Sequence, residues 1–335
     1  MTDGRLNIAV IGVGYLGRFH AEKLAAMKNV RLAAVVDADP ERAREIARSL
    51  KTRALAAHEE ILEDIDAAVI ATPTEAHARI AEDLLRAGKD VLCEKPMTAT
   101  LEEADTLVRL AGETGRILQV GHLERFNPAV EELLEQGRDV LFIEANRIAP
   151  FKGRGMDVDV ALDLMSHDLD IILALVGEEP LEIRASGVPV LGRHPDIVNA
   201  RLEFPGGCVA NLTASRLALK DERKMRVFQP NAYMSVDFRK RKLLVVNSVE
   251  FRAGSLPKVR TDRPRFSARD PLEEELKSFV LCVRERSAPR VGGEQGRAVL
   301  RCALKIRDWV NRSLAGREGL LALSRRWVDA KWDQP

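Results

Sequence analysis

Along the first third of the chain, short apolar runs alternate with stretches whose apolar positions recur every three to four residues. The runs Asn7–Ile11, Val30–Asp37, Ala67–Ala71, Asp90–Cys93 and Ile117–Val120 are too short for helices. They are also too uniformly apolar for half-exposed strands, so they read as strands buried on both faces. Between them, helical spacing predicts helices over Tyr15–Ala26, Pro40–Ser49, Ala76–Ala87 and Leu101–Thr114. Regular alternation of strand and helix predicts a doubly wound α/β fold with a parallel sheet and right-handed crossovers. Near Gly121 the pattern changes. After a helix over Pro128–Gln136, apolar and polar residues alternate over Val140–Arg147, Leu181–Val190, Ile197–Phe204, Cys208–Ala214, Lys224–Gln229 and Ala232–Phe238. Pro205-Gly206-Gly207 reads as a hairpin turn between two of these. Hairpin-linked strands predict an antiparallel or mixed sheet, followed by helical patterns over Pro271–Arg286 and Gly296–Leu314. The expected organisation is a Rossmann domain over residues 1–121 and a second domain over 122–335.

Composition narrows the partners more than the fold. Lysine and arginine total 52 against 51 acidic residues, so no net field favours nucleic acid or a membrane surface. Aromatics make up 4%, which leaves little material for base stacking. The run Arg239-Lys240-Arg241-Lys242 reads as a solvated turn between strands. Cys93, Cys208, Cys282 and Cys302 form no CxxC pair and no His/Cys group with metal-ligand spacing. Buried free thiols and no metal are expected. The run at Asn7–Ile11 ends in glycines and reads as a strand rather than a signal segment, and a cytoplasmic protein is expected.

Candidate chemistry begins at Gly12-Val13-Gly14-Tyr15-Leu16-Gly17, which follows a strand and opens a helix. Gly12 permits a tight turn, Gly14 a close approach to a pyrophosphate, and Gly17 close helix–strand packing. The helix N-terminus adds unpaired N–H groups for the phosphates. Asp37, at the end of the second strand, stands where a carboxylate bonds the adenosine ribose; alternatively it caps the next helix. A carboxylate there repels a 2′-phosphate and favours NAD, while the nearby Arg42 keeps NADP as the minority reading. Thr72, Pro73 and His77 follow a buried strand and belong to a crevice loop, where Thr74 could also serve as a helix N-cap.

Two further stretches carry titratable groups. Glu94-Lys95-Pro96 ends a buried strand, where an ammonium could stabilise a developing alkoxide. In Asp163-Leu164-Met165-Ser166-His167-Asp168-Leu169-Asp170, helical spacing puts Asp163, His167 and Asp170 on one stripe. A histidine flanked by carboxylates amid apolar residues reads as an oriented base.

Together, Gly12–Gly17, Asp37, Glu94-Lys95-Pro96 and Asp163-x3-His167 resemble the Gfo/Idh/MocA oxidoreductases over nearly the whole chain. That resemblance implies NAD as cofactor, with Tyr15, Leu16, Glu94 and Lys95 among the groups around it. It also implies a second, α+β domain with a large, open, mostly antiparallel sheet used for contacts in a homodimer or homotetramer. Lys95, Asp163 and His167 would surround the reacting carbon. The stretches Gly121–Pro128 and Arg154–Val160 look like bacterial nucleotide-sugar 3-dehydrogenases. This implies oxidation of the 3-hydroxyl of a UDP-N-acetylhexosamine to a keto sugar, for an aminotransferase in lipid A synthesis. Arg125, Asn127, Lys152 and Arg154 are then candidates for the diphosphate or acetamido group. The stretch Asp157–Leu162 departs from the glycine-rich pattern of other members. Two alternatives remain open: a free polyol or monosaccharide dehydrogenase, and a dinucleotide-binding regulator without turnover.

Overall fold

The computed structural model describes residues 4–151, 159–191, 194–250 and 258–316, the side chain of Glu250 excepted. Two compact units divide the chain: Met1–Phe126 with Arg269–Leu300, and Asn127–Ala268 with Arg301–Pro335.

The first unit holds six strands: β1 (Leu6–Ile11), β2 (Val30–Val36), β3 (Arg53–Leu55), β4 (Ala67–Ile70), β5 (Asp90–Glu94) and β6 (Leu118–Gly121). They form one sheet in the order β3-β2-β1-β4-β5-β6, parallel throughout. Strand order reverses at β1 and β4, the switch point at which such sheets bind ligands. Helices α1 (Tyr15–Ala26), α2 (Pro40–Leu50), α3 (Thr74–Arg86) and α4 (Leu101–Thr114) make the crossovers. β3 is only three residues long, too short for periodicity to reveal. Helix α3 starts two residues earlier than its apolar pattern, so Pro73 is the N-cap residue and Thr74 lies inside the helix.

The second unit opens with α5 (Pro128–Gln136), β7 (Phe142–Pro150) and α6 (Ser166–Val176). Seven strands follow: β8 (Glu182–Val188), β9 (Ile197–Glu203), β10 (Val209–Ala218), β11 (Glu222–Gln229), β12 (Ala232–Asp237), β13 (Lys242–Glu250) and β14 (Lys258–Asp262). Their sheet runs β14-β13-β12-β11-β7-β10-β9-β8. Every pairing is antiparallel except β7 with β10. The hairpin at Pro205-Gly206-Gly207 is present, with Gly207 at φ 81°, and the basic run forms the β12–β13 turn. β13 and β14 extend the sheet beyond the strands that alternation marks out. Along β7, Ile143, Ala145 and Arg147 are buried while their neighbours are not, so one face is covered and the other is open.

Helix α7 (Pro271–Glu285) belongs to the first unit although it lies some 150 residues beyond β6. Leu276, Phe279, Val280 and Val283 join Ile8, Val10, Leu24 and Leu92 in one buried cluster. Helix α8 (Gly293–Ala315) begins in the first unit and continues into the second.

Candidate active site and dinucleotide cleft

At the carboxyl ends of β1, β2 and β4 lies a cleft of about 870 Å³, lined by Gly12, Gly14, Asp37, Arg42, Thr72 and Pro73 among others. Gly12 has φ 84°, and a Cβ there would come within 2.7 Å of the Ala71 and Thr72 backbone. A Cβ on Gly17 would sit 1.8 Å from the Gly12 oxygen. Side chains at either position would therefore break the turn. Gly14 meets nothing within 4 Å and leaves its side of the turn open to a ligand. Tyr15 opens α1 with 77% of its surface exposed and packs edge-on against Phe19, while Leu16 is exposed beside it.

Asp37 accepts from the Val13 amide at 2.9 Å and from the Asp39 amide at 2.9 Å. Helix α2 is capped by Asp39, which accepts from the Glu41 and Arg42 amides. The hydrogen bond from the Arg42 amide holds the Asp39 carboxyl below its usual range. Asp37 is thus spared from capping and faces the cleft. Arg42 is held by both acids, 3.3 Å from Asp37 and 3.2 Å from Asp39. Two carboxylates around one guanidinium disfavour a 2′-phosphate. The Thr72 hydroxyl is buried without a partner among the described residues, on the wall of the same cleft. An orphaned hydroxyl beside an open glycine turn is what a bound dinucleotide would complete, so these residues fit NAD.

His77 is placed differently. It is buried, with Nε2 2.8 Å from the Thr72 oxygen and Nδ1 2.9 Å from the Pro96 oxygen. It braces two crevice loops and does not line the cleft. Lys95 follows β5 and precedes a cis peptide to Pro96. Glu94 turns inward: Oε1 is 2.7 Å from His20 Nε2, and Oε2 accepts from the Lys95 amide at 3.3 Å.

His122, one residue past β6, was not singled out by spacing. Burial, with Lys95 and Arg125 adding to it, pushes its pKa down to about 3. A neutral imidazole therefore stands beside the Lys95 ammonium. Arg125 lies in a short 3-10 turn, Leu123–Phe126, and its carbonyl accepts from Arg290 at 2.9 Å. Asn127 caps α5 through the Ala129 amide and donates to the Phe238 carbonyl. Both ends of its amide thus serve the second unit's own fold. Lys152 and Arg154 lie outside the described residues.

In the second unit, Ala161–Met165 forms a π-helical turn that runs into α6. Regular α-helical spacing does not extend through Asp163, because the wider turn shifts it relative to His167. Such turns recur at functional sites. Asp159 caps the turn through the Ala161 amide at 2.7 Å, and burial raises its carboxyl above the ordinary range. Asp163 and His167 are half-buried, and Asp170 is buried. Asp168, beside His167, accepts two bonds from Arg147 on β7 at 3.0 and 2.8 Å, both side chains being 2% exposed.

Residues 6–122 match the model of the Gfo/Idh/MocA oxidoreductase family's NAD-binding Rossmann fold, and residues 144–233 match a Gfo/Idh/MocA C-terminal domain. The chain is 40% identical to UDP-N-acetylglucosamine 3-dehydrogenase of Acidithiobacillus ferrooxidans, over 90% of this chain and 96% of that one. A solved structure of that enzyme superposes with a TM-score of 0.87, covering 91% and 97% of the two chains. Inositol 2-dehydrogenase of Rhizobium meliloti is 31% identical over 64% and 69%.

Proposed function

The chain belongs to the Gfo/Idh/MocA oxidoreductases and is an NAD-dependent dehydrogenase; from that premise we propose that it oxidises the 3-hydroxyl of UDP-N-acetylglucosamine to the 3-keto sugar. The observation that carries this reading is the degree of identity over the full length. It is 40% over 90% of the chain, second unit included, whereas the myo-inositol 2-dehydrogenase of Thermotoga maritima is 28% identical over 88%.

Bound NAD supplies the hydride acceptor. Gly12, Gly14 and Gly17 would hold its pyrophosphate, Asp37 would accept from its ribose hydroxyls, and the Thr72 hydroxyl and Pro73 would line the wall. We assign His167 as the base that takes the hydroxyl proton, with Asp163 orienting its imidazole. Lys95 donates to the substrate oxygen as negative charge develops there. Arg125 is the described cation that we assign to the diphosphate. A 3-keto sugar is the kind of electrophile an aminotransferase requires, and a transamination is the class of reaction we assign to the next step.

The test is a panel of UDP-sugars and free polyols, each incubated with NAD while NADH is followed. NADH should form with UDP-N-acetylglucosamine and not with myo-inositol; the reverse result would establish a polyol dehydrogenase. Replacing His167 with Ala should lower kcat by on the order of 10²–10⁴ while NAD still binds. Near-normal turnover in that variant removes His167 from the mechanism.

A further inference from the structure

Beneath the Glu94-Lys95-Pro96 turn lies a buried polar cluster that neither the cleft nor the proposed chemistry uses. His20 comes from α1, Glu94 from β5 and Glu275 from α7, and one atom of each lies within 4.8 Å of the others. His20 and Glu275 are 0% exposed. Neither Glu275 oxygen has a hydrogen-bond partner among the described residues. From β6 the neighbour is uncharged: Gln119 donates to the Glu275 backbone carbonyl at 3.3 Å. Two carboxylates this close, out of water, cannot both ionise without a large penalty, because burial and like charge act in the same direction. His20 already serves Glu94, so the unsatisfied member is Glu275.

Space for the arrangement is cut into the sheet. Gly121 stands opposite Glu94 on β6, and a Cβ there would come 2.8 Å from Glu94 Oε2. Glu94 folds into that gap, where it accepts from both His20 and the Lys95 amide. The cluster therefore ties the dinucleotide-binding helix, the strand end that carries Lys95, and a helix returning from late in the sequence.

We propose that Glu275 is a neutral acid facing Glu94, and that the cluster of His20, Glu94 and Glu275 positions the turn carrying Lys95. His20 and Glu275 are then positioning residues, and the kinetic consequence rests on the role assigned to Lys95 above. Ionised, Glu275 would push Glu94 away from His20; as an acid it completes the set.

Infrared difference spectra of the full-length protein against Glu275→Gln test the protonation directly. A carbonyl band of a buried carboxylic acid should be present at neutral pH and absent from the variant. Glu275→Leu, which removes the polar group beside Glu94, should lower kcat on the order of tenfold, the scale of one polar contact to a charged group, with the KM for the sugar little changed. Gln keeps a neutral polar side chain of the same size beside Glu94 and should restore most of that loss. Absence of the acid band, a stoichiometric divalent cation that leaves with Glu275→Gln, or a Gln variant as impaired as Leu would each overturn the proposal. Lys95→Met, measured alongside, separates the two readings: normal turnover there refutes the role of Lys95 whatever Glu275 shows. Should the Leu variant not fold, the infrared band decides.

Discussion

Asp37 is held in place at the cleft by its own surroundings, and the proposed choice of NAD rests on it. Its oxygens are fixed by the Val13 and Asp39 amides, and Arg42 is drawn onto it and onto Asp39. Hydrogen bonds to a charged group are worth about 1.5–3 kcal/mol. Asp37→Ala should therefore raise the KM for NAD roughly 10- to 100-fold and, by partly freeing Arg42, raise the NADP to NAD ratio of kcat/KM. Initial rates with both cofactors check this; an unchanged ratio would remove Asp37 from cofactor choice. His122 bears on acid stability. Burial lowers its folded pKa to about 3 from 6.5, so the unfolded chain takes up that proton first. The preference for a neutral imidazole is fully present above pH 6.5 and is lost as pH falls from there towards 3. Between pH 7 and 5 the wild type should lose about 2 kcal/mol more stability than His122→Gln, measured by denaturant unfolding at each pH. Equal losses would show that His122 is not held neutral.

At the scale of elements, the pair between Arg147 on β7 and Asp168 on α6 fixes a helix to its sheet. The guanidinium also lies 5.2 Å over the Phe238 ring. A two-bond pair in the core contributes specificity of placement more than net stability, because desolvation offsets most of its attraction. Breaking one side is another matter. Arg147→Met should cost about 3–5 kcal/mol, since it strands a buried carboxylate, whereas Arg147→Met with Asp168→Leu should recover much of that loss. Thermal or denaturant unfolding of the three proteins forms the cycle, and a double variant as unstable as the single would contradict it. His167 is Asp168's neighbour in the chain, so turnover in the double variant also reports how far this anchor holds the proposed base.

For the molecule as a whole, the informative feature is the open face of the eight-stranded sheet. Phe142, Phe228 and Tyr233 lie together on it, with ring centroids 5.9 and 5.1 Å apart. Alternation places them opposite the buried Ile143, Val227 and Met234. Aromatic residues clustered on an open sheet face are suited to contact with another subunit. Phe228→Glu should therefore lower the mass measured by light scattering, with the secondary structure retained in circular dichroism. An unchanged mass would place any subunit contact elsewhere. No helix among the described residues is long and apolar enough to cross a membrane.

What the sequence by itself determined is local. The parallel strands, their crossover helices and the glycine turn follow from periodicity and from backbone conformations that only certain residues permit. The Asp37 position follows from its distance along that same unit. The short β3 and the outer β13 and β14 escaped because three residues show no period and edge strands need not be uniformly apolar. Tertiary structure decided the rest. Glu275 sits in a stripe with Leu272, Leu276 and Phe279, and His20 in one with Gly17, Ala21 and Leu24. Those stripes signal burial, but the chain alone does not say against what. Helix α7 meets His20 and Glu94 only after the chain has built another unit and returned. In the same way Glu94 and His77, both at crevice loops by sequence, are turned to brace those loops rather than to line the cleft. The physical reason is one of range: sterics and hydrogen bonding act within a few residues, whereas the partner of a buried charge is set by packing between segments far apart in the chain.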